Sequence, residues 1–268
     1  MTSLENKVVI ITGGTEGIGR ALVDFAIAAG AKVATCARNT DKLYQLQTEN
    51  AHRNLFTFTA DVSVENECER FIRQVVSAFG SIDILINNAG ISMRALFKET
   101  DLATLKKVMD INFWGSVYCT KHALPFIEKT KGTIVGISSI AGYRGLPGRT
   151  GYSASKFALN GFYESLRTEL LTSGVNVMWV CPGFTASNIR YSALNKDVKP
   201  QGETPMDEGE MMPADECARL IFDAIEKRKR TLVFSVKDKR TVLVNRFLPS
   251  MADKLVRKFF YKGEELIK

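Results

Sequence analysis

The fold of this chain is decided by the stretch Thr12-Gly13-Gly14-Thr15-Glu16-Gly17-Ile18-Gly19. Residues 7–11 before it are almost wholly apolar and β-branched, which predicts a strand covered on both faces. Residues 20–29 after it are Ala-rich and apolar, which predicts a helix that Gly30 can end. Because glycines let the backbone approach a diphosphate, whose charge is met at a helix N-terminus, this pattern predicts nucleotide binding. The alternative is a tight turn without a ligand.

Composition places the chain among ordinary globular proteins, with 268 residues, 45% apolar and 24% charged. Its five cysteines are scattered and have no metal-ligand spacing with His52 or His122, so we expect reduced core thiols and no metal site. Residues 1–6 show no signal peptide, and no apolar run approaches the ~18 residues of a membrane span. A cytoplasmic location is therefore expected.

The net charge of +7 is concentrated at the C-terminal end. Residues 227–268 hold 13 Lys/Arg and 4 Asp/Glu, whereas the preceding 226 residues hold 23 basic and 25 acidic side chains. A nearly neutral body argues against nucleic-acid binding. The excess positive charge instead indicates a binding partner of the C-terminal segment.

Strand and helix patterns alternate along the chain without a linker or a repeat. The predicted strands are residues 7–11, 31–37, 54–59, 83–86, 133–137, 175–180 and 231–235, and the predicted helices are 20–29, 41–50, 64–79, 102–127, one that starts at 152, and 214–229. This alternation predicts an α/β fold, a single-domain, Rossmann-type, doubly wound parallel sheet of about seven strands over residues 1–236. Residues 184–213 are irregular and are interpreted as a substrate lid.

The end of the second strand predicts which dinucleotide is bound. A carboxylate at this point would bond the adenosine ribose and select NAD, whereas Arg38 offers a donor fork suited to the 2′-phosphate of NADP. Glu16 in the glycine-rich turn argues against a phosphate there, and a solvated Arg38 is the alternative. Asp61 follows the third strand, where it could bond the adenine amino group, cap the next helix, or do both.

A tyrosine and a lysine lie four residues apart at Tyr152 and Lys156, on one face of a predicted helix. A neighbouring ammonium favours the phenolate and lowers the pKa of a tyrosine toward working pH, as a general acid/base requires. Ser139, at the end of the preceding strand, could steady a carbonyl oxygen. By chance alone, a Tyr–Lys pair at this spacing is common in helices.

Taken together, these motifs resemble the short-chain dehydrogenase/reductase family. Those that carry the resemblance are Thr12-Gly13-x-x-x-Gly17-x-Gly19, Asn87-Asn88-Ala89-Gly90, Ser139, Tyr152-x-x-x-Lys156 and Pro182-Gly183, over about residues 7–235. The resemblance implies a seven-stranded Rossmann-type sheet, NAD(P), and hydride transfer between nicotinamide and a carbonyl or alcohol carbon.

The resemblance also implies individual roles. Tyr152 matches the acid/base, Ser139 the carbonyl stabiliser, Lys156 the residue that orients the ribose, and Asn112 the residue whose amide helps hold a relay water. The implied cofactor-binding residues are Gly13, Thr15, Gly17, Ile18, Gly19, Arg38, Asp61, Val62, Asn88, Gly90, Tyr152, Lys156, Pro182, Gly183, Thr185 and Ser187. Ser187 stands where threonine is usual, which keeps the hydroxyl.

The short sequence motifs at residues 36–43 and 152–159 resemble those of one branch of the family, which acts on lipophilic ketones. This branch includes 3-ketodihydrosphingosine reductases and the dehydrogenase/reductase member 7B type. This predicts NADPH-dependent reduction of a long-chain or polycyclic ketone, with NAD the less favoured cofactor. The alternative function is a non-catalytic dinucleotide-binding or redox-sensing module of the same fold. By analogy with the family, a homodimer or homotetramer is expected.

Residues 237–268 form a C-terminal extension in which apolar and aromatic residues alternate with lysine and arginine. A basic amphipathic helix of this kind can lie in a membrane interface, which would make the protein peripheral to the membrane. Equally, the extension could pack on the lid or on a neighbouring subunit. The sequence does not choose between these two hypotheses.

Overall fold

The computed structural model of the protein describes residues 4–185, 187–204 and 211–267. Within them a seven-stranded, wholly parallel sheet has the order β3-β2-β1-β4-β5-β6-β7. Its strands are β1 (Val8–Thr12), β2 (Lys32–Ala37), β3 (Leu55–Thr59), β4 (Ile84–Asn87), β5 (Thr133–Ile137), β6 (Asn176–Cys181) and β7 (Thr231–Val233). The predicted doubly wound α/β fold is confirmed.

Helices cover both faces of this sheet. They are α1 (Gly17–Ala28), α2 (Thr40–Glu49), α3 (Glu65–Phe79), α4 (Leu102–Met109), α5 (Gly115–Thr130), α6 (Thr150–Glu169), α7 (Ala214–Glu226), α8 (Val236–Phe247) and α9 (Pro249–Phe260). One apolar cluster joins the sheet to α3, α5 and α6, and a second joins it to α1, α2 and α7. All five residues of β1 are buried because both layers cover this strand.

The long helix predicted over residues 102–127 is interrupted. Between α4 and α5 the residues Asp110–Trp114 form a π-helical turn that contains the buried Asn112. Beyond it, a Cβ on Gly115 would lie 2.8 Å from Cγ2 of Val62, so glycine is needed where the helix passes the end of β3. The interruption turns Asn112 toward the strand ends, as π-turns at functional sites often do.

The C-terminal extension is two helices and a short hairpin, where the sequence analysis expected one amphipathic helix. Pro249 occupies the first position of α9 and separates it from α8, because proline fits a helix start and disrupts a helix interior. After α9 come β8 (Tyr261–Lys262) and β9 (Glu265–Leu266), which pair antiparallel. No helix in the described residues is long and apolar enough to span a membrane.

The segment predicted as a lid, residues 184–213, contains no regular helix or sheet strand in its described part. Isolated bridges join Thr185 to Met212 and Leu194 to both Met93 and Pro200. Residue 186 and residues 205–210 of this segment lie outside the described residues. The rest of it passes over the carboxyl ends of the strands.

Candidate active site

The strand order reverses beside β1, whose neighbours are β2 on one side and β4 on the other. In open parallel sheets ligands bind at the carboxyl ends of the strands at such a point. A cavity of about 550 Å³ opens here. All sixteen residues predicted to bind the cofactor line this cavity, and so does Ser139. Asn112 does not line it.

The glycine-rich turn has the conformation that a diphosphate cradle needs. Gly13 and Gly17 have φ of +69° and +53°, a region that favours glycine. A Cβ on Gly19 would lie 2.1 Å from the carbonyl oxygen of Gly13 and 2.4 Å from Nδ2 of Asn88. Because α1 begins at Gly17, its unpaired N–H groups face the cavity, so the turn fits the diphosphate of a dinucleotide.

Asn88 holds this turn in place. Its Nδ2 donates to the carbonyl oxygens of Thr12, at 2.9 Å, and Gly13, at 3.1 Å. In return, Oγ1 of Thr12 accepts hydrogen bonds from the backbone N–H of Asn88 and of Ala89, both at 3.0 Å. The ends of β1 and β4 are thereby tied together around the cradle.

The predicted adenosine end brings together two cations and two carboxylates. Nη1 of Arg38 lies 3.9 Å from Oδ2 of Asp61, while Oδ1 of Asp61 accepts from the N–H and the hydroxyl of Ser63 at 2.9 and 2.7 Å. Asp61 therefore closes a turn after β3 and does not cap α3, whose N-cap residue is Val64; a bond to the adenine amino group stays a prediction. Glu16 forms an ion pair with Lys42, a residue that the sequence analysis did not select. This pair compensates the negative charge that argued against a phosphate.

Tyr152 and Ser139 meet at the wall of the cavity. Tyr152 lies in the first turn of α6, and Ser139 lies beside it in the lining of the same cavity. Ser139 is positioned by Ala141, whose N–H donates to Oγ at 3.1 Å. Burial raises the pKa of Tyr152; the nearby Ser139 hydroxyl and the charge of Arg149 lower it, by less. The phenol is a proton donor at neutral pH.

Lys156 lies where the helix spacing predicts, but its electrostatic role differs from the expectation. Its Nζ donates to the carbonyl oxygen of Ile137 at 2.8 Å and lies 5.6 Å from the centre of the Tyr152 ring. Burial lowers the pKa of Lys156 to about 8, and the pKa of Tyr152 is raised, by burial first. The prediction that this ammonium loosens the phenol proton is not supported, because the ammonium faces the ring and a backbone carbonyl.

The side chain of Asn112 connects two segments of the site by hydrogen bonds. Its Oδ1 accepts from the N–H of Ile91 at 2.8 Å, and its Nδ2 donates to the Ile91 carbonyl at 3.0 Å and to Oγ of Ser155 at 2.9 Å. These bonds join the segment after β4 to α6. They also occupy the side-chain amide that was expected to hold a water, so a part for Asn112 in a proton relay stays a prediction.

A buried arginine in the cavity wall, Arg149, was also missed by the sequence analysis. It directly precedes α6 and is 7% exposed. Its position three residues before Tyr152 was the available signal. A sequence cannot separate a buried arginine from a solvated one, because arginine is ordinarily exposed.

With the site described, comparison with known proteins decides the family. The model of the short chain dehydrogenase family matches residues 7–197. The chain belongs to this family. It is therefore an oxidoreductase-family protein with a dinucleotide-binding fold, and the family resemblance expected from the motifs is confirmed.

Curated members of the short chain dehydrogenase family extend the match almost to the whole chain. Dehydrogenase/reductase SDR family member 7B from Mus musculus is 36% identical over 256 residues, which cover 93% of this chain and 76% of the mouse protein. 11-beta-hydroxysteroid dehydrogenase A from Arachis hypogaea is 40% identical over 210 residues, covering 77% of this chain and 59% of the relative. The similarity to the member 7B branch, which the short motifs predicted, is confirmed.

Solved structures of the family support the fold. A short chain dehydrogenase/reductase from Burkholderia phymatum, in complex with NAD, superposes with a TM-score of 0.83 at 22% identity and covers 94% of this chain and 96% of its own. A short-chain dehydrogenase from Streptomyces avermitilis gives a TM-score of 0.80 at 25% identity, over 96% and 100% of the two chains. Both structures therefore share the fold of this chain over most of its length.

Proposed function

We propose that this protein is an NADP(H)-dependent oxidoreductase that interconverts a carbonyl group and a secondary alcohol on a lipophilic substrate. The observation that carries the proposal is that Tyr152 and Ser139 line the same cavity as the glycine cradle, with the Ser139 hydroxyl close enough to Tyr152 to lower the pKa of its phenol. When bound, the reduced cofactor supplies the hydride to the carbonyl carbon. Tyr152 donates its phenol proton to the carbonyl oxygen, and Ser139 donates a second hydrogen bond to that oxygen.

The buried phenol favours reduction as the direction of catalysis. Because desolvation raises the pKa of Tyr152, the proton that reduction consumes is present at neutral pH. Oxidation would need the phenolate, which the same burial disfavours. Lys156, held by Ile137, has further donor hydrogens with which to orient a ribose hydroxyl.

A tyrosine exchange tests whether the protein is an enzyme or the non-catalytic module. We expect Tyr152→Phe, which keeps the ring and removes the hydroxyl, to lower kcat for ketone reduction by about a hundredfold or more. Tyr143→Phe is the matched control, since Tyr143 lies outside the cavity lining. NADPH consumption over a panel of lipophilic ketones, including a 3-ketosphingoid base, is the measurement. Unchanged turnover in Tyr152→Phe would remove the acid/base assignment, and a wild type inactive on every ketone would favour the module.

Preference for NADP is supported by Arg38 and Lys42. Both line the adenosine end of the cavity, and Lys42 offsets the charge of Glu16 there. A charge-assisted hydrogen bond to a phosphate contributes about 1.5–3 kcal/mol, so Arg38→Ala should raise KM for NADPH roughly tenfold or more and leave KM for NADH unchanged. Arg219→Ala, on the exposed side of α7, is the control. A wild type that prefers NADH tenfold would contradict this part of the proposal.

A lipophilic substrate is supported by the other wall of the cavity. Apolar side chains from three segments line it, namely Ile91, Leu146, Phe184, Leu194 and Val198. The relative from Arachis hypogaea is named a hydroxysteroid dehydrogenase, which supports a similar substrate for this chain. On the ketone panel we expect kcat/KM to rise with apolar surface, as burial of each methylene contributes about 0.8 kcal/mol.

The C-terminal extension packs on the body and also presents an apolar surface. Asn245 on α8 donates to the Tyr143 carbonyl at 2.8 Å, and Arg144 binds Asp253 on α9 at 2.5 Å. On the outer side, large apolar side chains are exposed, namely Leu243, Phe247, Leu248, Met251 and Leu255. We propose that this surface, flanked by lysines and arginines, contacts anionic lipid, which keeps the protein peripheral to a membrane.

Vesicle sedimentation with the full-length chain tests this contact. The variant Phe247→Asp with Leu255→Asp should bind vesicles of mixed neutral and anionic lipid at least tenfold more weakly than the wild type. Tyr44→Asp, at an exposed aromatic on α2, controls for the added charge. Equal binding by all three proteins would leave packing on the body as the function of the extension.

A homo-oligomer is proposed on the analogy of the family, whose members pair the helices that correspond to α5 and α6. Exposed aromatic side chains occur there, Trp114 before α5 and Phe157 on α6. Light scattering of the eluting protein should give a dimer or tetramer, and Phe157→Glu should shift it to the monomer. A monomeric wild type would contradict the proposal.

A further inference from the structure

Arg149 occupies a position at which an arginine is expected to destabilise the fold. It is the N-cap residue of α6, and the positive end of a helix dipole disfavours a cation. Although the residue is 7% exposed, its Nη1 is buried without a hydrogen-bond partner. No acidic side chain within the described residues forms an ion pair with it. A buried, uncompensated cation is destabilising unless a ligand supplies the opposite charge.

Two more arginines lie near Arg149. Arg190, 8% exposed, lines the cavity and donates to the Thr185 carbonyl at 3.1 Å. Arg94 donates to the Leu266 carbonyl at 3.4 Å, and its Nη1 lies 3.7 Å from Oε1 of Glu203, which offsets its charge. Burial first, and then repulsion from Arg94 and Arg190, lowers the pKa of Arg149 to about 10, so it remains charged at neutral pH. Arg149 is therefore a buried positive charge in the wall of a partly apolar cavity.

The C-terminal hairpin region holds this cluster in position. The ring of Phe260, which is buried, lies 5.4 Å from Cζ of Arg149, and the side chain of Leu266 reaches the loop at Gly148. A cation held over an aromatic face is fixed in orientation without losing its donor hydrogens. The donor fork of Arg149 is therefore preorganised.

The cluster belongs to the substrate side of the cavity. Arg149 acts electrostatically on Tyr152, the proton donor, whereas the dinucleotide phosphates are assigned to the glycine cradle and to Arg38. Leu146 and Val198, also in the lining, supply apolar surface beside it. A ligand that satisfies both features is apolar and carries an oxyanion.

We propose that Arg149 binds an oxyanion of the substrate, so that the enzyme reduces lipophilic ketones that bear a carboxylate or a phosphate group. This inference rests on the proposed oxidoreductase function and specifies its substrate class. A neutral ketone fills the apolar part of the cavity and leaves the arginine fork unpaired. Discrimination should therefore be larger than apolar contact alone provides.

The test compares keto acids with their own methyl esters. The wild type is assayed with NADPH and a series of medium-chain keto acids, with the ketone placed successively farther from the carboxylate. We expect at least one acid to exceed its ester by roughly ten- to a hundredfold in kcat/KM, as a charged hydrogen bond predicts. Keto phosphonates of the same chains and their diesters determine which oxyanion is preferred.

Variants assign the preference to the arginine. Arg149→Met should reduce the acid-to-ester ratio to near one, and Arg149→Lys should restore part of it. Because the ratio is taken within one protein sample, a loss of folded enzyme cancels. Arg219→Met, which removes the same charge at an exposed site on α7, should keep the wild-type ratio. Titration calorimetry of a keto acid into the proteins loaded with oxidised cofactor, NADP⁺, measures binding without turnover.

Several results would overturn the inference. The first is a wild type that reduces esters as well as acids. The second is an Arg149→Met variant that keeps the acid-to-ester ratio of kcat/KM, including one that loses activity on acid and ester equally. In the last case Arg149 would act on Tyr152 alone. If neither acids nor esters turn over but keto acids bind in an Arg149-dependent manner, the anion site stands and the proposed function fails.

Discussion

Replacing Lys156 by methionine should stabilise the protein while it inactivates the site. In the fold the ammonium is buried, and its pKa is lowered from 10.5 to about 8. The unfolded chain thus binds the proton more tightly than the folded chain, a difference of about 3 kcal/mol at neutral pH. Loss of the bond to the Ile137 carbonyl costs about 1–2 kcal/mol and offsets part of this. The expected net gain in unfolding free energy is about 1–2 kcal/mol.

The pH dependence gives this prediction its sign. Below about pH 8 both states of the wild type carry the proton, so the full burial penalty is present. Between about pH 8 and 10.5 the folded state loses its proton first, and the wild type gains stability relative to the variant. The advantage of Lys156→Met should therefore be largest near neutral pH, shrink above about pH 8 and reverse before pH 10.5, where the lost bond to the Ile137 carbonyl dominates.

Urea unfolding followed by tryptophan fluorescence, at fixed protein concentration over this pH range, measures both quantities. Lys98→Met, at an exposed lysine, is the matched control and should change stability by less than about 0.5 kcal/mol at any pH. The reasoning is refuted if Lys156→Met is less stable than the wild type at neutral pH. It is equally refuted if the difference does not change with pH.

Three further predictions concern the site. The rate of ketone reduction should stay constant through neutral pH and decline only under alkaline conditions, since burial raises the pKa of Tyr152; a pH–rate profile that falls near pH 7 contradicts this. Gly19→Ala should weaken NADPH binding at least a hundredfold, because its Cβ would lie 2.1 Å from the Gly13 carbonyl; titration calorimetry measures it, and near-wild-type affinity would disprove the cradle. Asn112→Ala should lower the unfolding free energy by about 1–3 kcal/mol by leaving both polar groups of Ile91 unsatisfied, and denaturant titration showing no change would contradict the brace.

Most of the fold and the identity of the cavity lining could be read from local sequence. Strands buried on both faces appear as continuous apolar runs, and the residues that follow them must lie at one edge of a parallel sheet. The sequence therefore predicts a single site that contains the glycine-rich turn, Asn88, Ser139 and Tyr152. The interruption at Asn112 was not predicted, because the π-turn depends on bonds to Ile91 and Ser155, distant in sequence.

The direction of side chains was the part that sequence could not give. Spacing of four residues placed Lys156 on the face of Tyr152, but only the packing of α6 on β5 brings its ammonium to the Ile137 carbonyl. Likewise, Arg149 reads as an ordinary loop arginine until Phe260, more than 100 residues later, covers it.

The sequence by itself determined the doubly wound sheet, the dinucleotide cradle and the set of residues around the cavity, since periodicity and glycine placement are local properties. The tertiary structure alone decided which charges are buried and what faces them: a lysine bonded to a backbone carbonyl, a glutamate compensated by Lys42, and an arginine beside the proton donor that has no acidic partner among the described residues. Desolvation and charge pairing depend on neighbours brought together by folding, and these set the pKa values and the affinity of the site.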